Sequence, residues 1–141
     1  MKMAAKKRVP KRFVLDTSAV LALRSDESGA DRVQTLLQQA RREQCQLLVS
    51  FMTRMELLYS IRREAGEDAA RHALRMIDSF DIRWISCEPA ILEKASQIKS
   101  AGRISVADSW IGATALVHGA TLVHKDPDFR PFKEIPQEVL L

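Results

Sequence analysis

Long apolar runs are missing from this chain of 141 residues. None approaches the ~18–20 consecutive apolar positions needed to cross a bilayer, which sets aside a membrane-spanning reading. The opening stretch MKMAAKKRVPKRF is basic and lacks the apolar core of about 7–15 residues that a secretory signal requires, so a cytoplasmic location is expected. Cysteine is scarce. Cys45 and Cys87 have neither close spacing nor a clustered histidine, which fits two reduced, buried side chains better than a disulfide framework or a metal clip. Histidine is scarce too: His72, His118 and His124 stand in unrelated contexts and support neither a histidine metal site nor a histidine-pair ribonuclease mechanism. No repeat, low-complexity tract or second domain is evident. What is left has an ordinary hydrophobic content, 46%, and a length that lets one domain bury roughly 68–70% of its unfolded surface.

The net charge of +4 is unevenly placed. Lys2, Lys6, Lys7, Arg8, Lys11 and Arg12 precede the first acid, and with those six charges set apart residues 13–141 carry −2. A basic, flexible arm over residues 1–12 and a slightly acidic domain over residues 13–141 are expected. The arm is either a solubilising extension or a segment that neutralises phosphates.

Within the domain, strand-like apolar runs alternate with helical periodicity. Phe13–Leu15 ends in Asp16, and Thr17–Ser18 then open a helical stretch. Ala30–Arg41 carries Val33, Leu36, Leu37 and Ala40 at one-face spacing. Gln46–Ser50 reads as a second strand, followed by a helix over Phe51–Glu64 with apolar Met52, Met55, Leu58 and Tyr59. Gly66 separates that helix from another over Glu67–Phe80. Ile82–Ile85 is a third strand, and Glu88–Pro89 starts the next helix by the usual placement of proline in the first turn. Ser105 with Asp108 three residues on reads as a helix cap; Gly119 stops that helix, and Thr121–His124 is a fourth strand. Glu138–Leu141 is a weak last strand. The alternation predicts a three-layer α/β/α domain with a central, mostly parallel sheet of four to five strands. Trp84 and Trp110 sit in apolar settings that suit core packing more than base stacking.

Four acids stand out. Asp16 follows the first strand, Glu56 lies just past the second, Asp108 opens the helix before the fourth, and Asp126 follows the fourth. In open α/β sheets ligands bind beyond the carboxyl ends of the strands, where these acids would meet. Each also has a structural explanation: helix N-termini for Asp16 and Asp108, a solvated face for Glu56, a turn before Pro127 for Asp126. Convergence has an electrostatic consequence. Near ~4 Å and an effective dielectric of ~20, each like-charged pair costs on the order of 4 kcal/mol, so the cluster demands protons or a cation. Hard oxygen ligands select Mg²⁺ or Mn²⁺, which activate or orient a water toward a phosphodiester.

The strings RFVLDTSAVLAL, MTRMELLYSIRRE and GRISVADSWIGATALVHGATLVHKDPDF, in that order, resemble the PIN-domain ribonucleases, most closely the VapC-like toxins of toxin–antitoxin pairs. The resemblance covers nearly everything from Phe13 to Phe132. It implies that Asp16, Glu56, Asp108 and Asp126 bind Mg²⁺ or Mn²⁺, with Thr17 as the hydroxyl beside the first acid and Asp128 as an outer-shell acid. It further implies endonucleolytic cleavage of RNA with water as nucleophile and a 3′-hydroxyl product, inhibition by a small cognate antitoxin, and a homodimer. Lys125 and Arg130 flank the acids as candidate phosphate contacts. One departure is His124, where the family often has Thr or Ser; it either alters the hydrogen bonding around Asp126 or is a strand-end histidine without chemistry. Two other readings compete. An aspartyl-nucleophile phosphatase of the haloacid dehalogenase type would want a second Asp two residues after Asp16, where this chain has Ser18. A catalytically silent PIN module that binds RNA or a protein partner would not need four intact acids.

Overall fold

The computed structural model describes residues 9–141, so most of the expected arm lies outside the described residues. The elements run β1 (Lys11–Leu15), α1 (Thr17–Arg24), α2 (Ala30–Arg41), β2 (Cys45–Ser50), α3 (Phe51–Ala65) and α4 (Glu67–Asp78). They continue through β3 (Ile82–Ile85), α5 (Pro89–Ala101), α6 (Val106–Val117), β4 (Thr121–His124), a single 3-10 turn (Pro127–Phe129) and β5 (Gln137–Val139). β1 begins at Lys11, which pairs with Cys45, so Lys11 and Arg12 belong to the sheet.

All five strands are parallel, in the order β3-β2-β1-β4-β5. A parallel sheet covered on both faces needs apolar residues at successive positions, and β1 and β2 show why their sequences read as continuous apolar runs. Phe13, Leu15, Leu47, Val49 and Val123 join one core with Val33 and Leu36 of α2, Leu57 and Ile61 of α3, and Leu74 and Ile77 of α4. The alternate residues Val14, Leu48, Ile85 and Leu122 face the other way, against Ile91 and Ile98 of α5 and Ile111 of α6. Three layers result, as the alternation predicts.

Strand order places the site. The chain builds outward from β1 to β2 and β3, then returns to lay β4 on the other side of β1. Ends of strands splay helices apart at such a switch point, and β1 and β4 are the two strands that meet there. Gly112, mid-way along buried α6, lets the segment after β4 come close: a Cβ there would lie 2.8 Å from Ile135 Cδ1 and 3.7 Å from the Phe129 ring.

Two expectations need correction. Cys45 is buried, with Sγ 3.6 Å from the Leu36 carbonyl, but Cys87 is exposed. It follows the end of β3, in the connection to α5, where no layer covers it. The last strand is Gln137–Val139, one residue earlier at its start and two shorter at its end than the sequence suggests, because pairing in register with Leu122–His124 sets its limits. Trp84 and Trp110 pack against the two cores as partly buried residues. Among the described residues no helix is long and apolar enough to cross a membrane.

Candidate metal centre

Asp16 occupies the turn from β1 into α1. Its backbone is extended, its N–H donates to the Val123 carbonyl at 3.0 Å, and its side chain caps α1 by accepting from the Ser18 N–H at 3.1 Å. The Ser18 hydroxyl donates to the same oxygen, Oδ2, and in turn accepts from the Lys125 N–H at 2.9 Å. One hydroxyl therefore stitches the end of β1 to the end of β4. The other oxygen, Asp16 Oδ1, is buried and has no hydrogen-bond partner. Leaving a buried carboxylate oxygen unpaired is costly, so this atom is the clearest sign of a ligand position in the molecule.

Glu56 arrives from the second turn of α3, which Ser50 caps by accepting from the Met52 N–H. Thr17 donates to Glu56 Oε1 at 2.8 Å and lies 3.2 Å from the Thr53 hydroxyl, fixing the glutamate toward α1. Asp108 sits in the first turn of α6, whose N-cap Ser105 accepts from the Asp108 N–H at 3.0 Å, as the sequence predicts. Asp126 caps the 3-10 turn by accepting from the Asp128 N–H at 2.9 Å. Asp108, Asp126 and Asp128 each offer an oxygen within 4.8 Å of the others.

The electrostatics tie the two groups together. Burial first, and then the charges of Glu56 and Asp126, push Asp16 up to about 6 against the lowering pull of Ser18. Asp108 is raised further, again chiefly by burial and then by Asp16, Asp126 and Glu56. The charges of Glu56 and Asp126 thus reach both Asp16 and Asp108, while the carboxylates gathered within 4.8 Å are those of Asp108, Asp126 and Asp128, without Asp16 and Glu56. Carboxylates crowded in this way are the donor set of a hard divalent cation, and the unpaired Asp16 Oδ1 fits that chemistry. The cluster of Asp108, Asp126 and Asp128 can chelate a divalent metal.

The other expected residues fall as follows. Thr17 stands beside the first acid and orients Glu56. Asp128 is part of the carboxylate cluster itself. Arg130 is exposed just past the 3-10 turn. The Lys125 ammonium is engaged by the Ser28 carbonyl at 2.9 Å, the Ser28 hydroxyl at 3.2 Å and Glu27 at 3.5 Å, which draws it toward the connection between α1 and α2. His124 is fully buried, and burial pushes its imidazole below the usual range. Ser18, Thr53 and Gln137 were not legible as site residues; Ser18 alone had a signal, in the Asp-Thr-Ser string that follows the strand.

The PIN domain family pattern matches residues 13–135. Comparison with curated proteins yields no match. Among solved structures, the fold is similar to VapBC2 from Rickettsia felis bound to a DNA fragment from their promoter, at TM-score 0.74 and 16% identity over 92% of this chain and 99% of that one. It is similar to DNA-bound VapBC from Salmonella typhimurium, at TM-score 0.72 and 17% identity over 92% and 98%. It is also similar to VapC20 of Mycobacterium tuberculosis, a sarcin–ricin loop cleaving toxin, at TM-score 0.65 and 16% identity over 85% and 94%. Sequence pattern and sheet order agree over nearly the same residues, and the chain belongs to the PIN domain family.

Proposed function

We propose that this chain is a Mg²⁺- or Mn²⁺-dependent endoribonuclease and the toxin of a toxin–antitoxin pair, with residues 13–141, extended back to Lys11 by β1, as its nuclease domain. The observation that carries the reading is the buried, unpaired Asp16 Oδ1 among acids that raise its proton affinity. Asp16, Glu56, Asp108 and Asp126 would hold the ion, joined by Asp128, whose carboxylate lies with those of Asp108 and Asp126. A bound divalent cation supplies water activation and charge neutralisation at the phosphodiester. The chain's own residues do the positioning: Ser18 fixes one oxygen of Asp16 and leaves the other free, Thr17 fixes Glu56, and exposed Arg130 is available for a phosphate. The similar VapC20 of Mycobacterium tuberculosis is a sarcin–ricin loop cleaving toxin, which supports an RNA substrate here. Purified protein with Mg²⁺ or Mn²⁺ is expected to cut total cellular RNA to products with 3′-hydroxyl ends, and excess EDTA to stop it. Full activity in EDTA would refute the reading.

A partner follows from the same reading. On α3, Phe51, Met55, Leu58 and Tyr59 line a groove of about 400 Å³ rimmed by Arg54 and Arg62. Met55 and Tyr59 are 46% and 41% exposed and stand together on this face beside Glu56. A small cognate antitoxin would cover this face, and the chain would form a homodimer. Co-expression with the neighbouring protein of its operon should yield a complex that Met55→Glu weakens at least ~10-fold, about 1.4 kcal/mol. No complex, with a monomer by light scattering, would count against both parts.

A further inference from the structure

We propose that His124 is a positioning residue, which holds the Asp126 backbone through the lone pair on Nδ1 and so sets where the Asp126 carboxylate meets Asp108 and Asp128. The proposal rests on the metal-site reading above. Gln137 Nε2 donates to the carbonyls of Phe129 at 2.9 Å and Phe132 at 3.0 Å, and carbonyls only accept, so the orientation of the amide is fixed. Gln137 Oε1 must then be the atom that faces His124 Nε2, at 2.9 Å. An amide oxygen cannot donate, so Nε2 carries a proton, and in the neutral imidazole that leaves Nδ1 bare. That bare nitrogen lies 3.0 Å from the Asp126 N, whose N–H donates to it. The Phe129 ring packs at 4.9 Å from the imidazole, and the His124 carbonyl accepts from the Leu140 N–H at 2.8 Å, so the ring has little freedom. The chain of bonds leads from β5, through a buried histidine, to the residue whose side chain caps the 3-10 turn. An imidazole here does for the i+2 amide what a short polar side chain does in an Asx or ST turn, with a second anchor at Gln137 that a short side chain could not reach.

His124→Phe keeps the ring volume and removes the acceptor; His124→Asn loses the Gln137 contact and keeps an oxygen that can accept from the Asp126 N–H. With Mn²⁺ alone as the probe, titration calorimetry should show His124→Phe binding about 10–100-fold more weakly than the unaltered protein, the usual effect of losing a partner behind a ligand. His124→Asn should recover most of that loss. In the metal-free protein, hydrogen exchange at the Asp126 amide should be slow in the unaltered chain and in His124→Asn and fast in His124→Phe. Nitrogen spectra of the unaltered protein should show His124 protonated at Nε2 and bare at Nδ1, a measurement that needs no variant if His124→Phe fails to fold. Equal Mn²⁺ affinity in His124→Phe, no recovery in His124→Asn, or a proton on Nδ1 would each overturn the proposal. Absence of Mn²⁺ binding by the unaltered protein would refute the metal-site reading instead, while the exchange and nitrogen measurements would still decide whether His124 holds Asp126.

Discussion

Asp16→Asn is expected to abolish RNA cleavage and, in the same protein, to raise the melting temperature of the metal-free form above pH 7. The first effect comes from removing a ligand: losing ~3–4 kcal/mol of charge stabilisation is on the order of 10²–10³ in rate. The second distinguishes the two explanations of this residue. If Asp16 served only as the N-cap of α1, Asn would replace it with almost no change, since both cap equally well. If its charge is held against burial and against Glu56 and Asp126, neutralising it relieves that cost. The amide suits the position: Oδ1 of Asn can take over the bonds from the Ser18 N–H and hydroxyl, and Nδ2 would point from the unpaired oxygen's place toward the neighbouring acids. A gain of about 1–3 kcal/mol is expected, or ~3 °C per kcal/mol for a chain of this size. Calorimetry in EDTA at pH 8 reads the gain, and the RNA assay in Mg²⁺ reads the loss. A folded variant that still cleaves at the unaltered rate, or one that melts no higher, removes Asp16 from the proposed role.

The site was legible in the sequence to the extent that its chemistry is local. Asp16 follows an apolar run and precedes two hydroxyl residues, Ser105 and Asp108 form a cap at three-residue spacing, and Asp126 follows a short strand before a proline. Each is a strand-end or helix-start pattern, and each holds in the structure. What could not be read depends on which strands become neighbours. The Ser18 hydroxyl meets the Lys125 amide across 107 residues of chain because β1 lies beside β4. Gln137 reaches His124 because β5 lies on the far side of β4, an order no periodicity encodes. Lys125 reads as a cation beside the site, yet the fold brings Ser28 and Glu27 to it from the connection after α1, and its charge is satisfied there. Cys87 failed for a simpler reason: an isolated thiol suggests a small buried side chain, but Ser86 and Glu88 flank it and it sits two residues past the end of β3.

Without metal, the protein is expected to lose stability as pH rises from about 4 to 7, the reverse of what paired carboxylates give. The sign follows from where the proton is held. An ordinary aspartate in the unfolded chain releases its proton near ~3.9, whereas folded Asp16 keeps its proton until about 6. Between those values the folded state holds more protons than the unfolded one, so raising the pH favours unfolding; the slope is negative through this window and the full penalty is reached above it. For Asp16 alone the gap from 3.8 to about 6 corresponds to about 3 kcal/mol at ~1.36 kcal/mol per pH unit, a large share of the ~5–15 kcal/mol that holds a domain together. Asp108 acts in the same direction and carries the loss to higher pH, while buried His124, held below its usual range, opposes it, so the Asp16 contribution is read as the difference between the unaltered protein and Asp16→Asn. A divalent cation should reverse it: at ~100 times its dissociation constant, a ligand bound only by the folded state returns about 2.7 kcal/mol. Urea unfolding at pH 4.5, 6 and 7.5, with EDTA and then with excess Mn²⁺, should show a falling series that the metal flattens. Asp16→Asn should remove the Asp16 share of the fall in EDTA, leaving that of Asp108, and show little response to Mn²⁺. A metal-free stability that rises steadily over this range would mean that the acids are accommodated by water and neighbours, and that the edge of the sheet where they meet was not built to be completed by a cation.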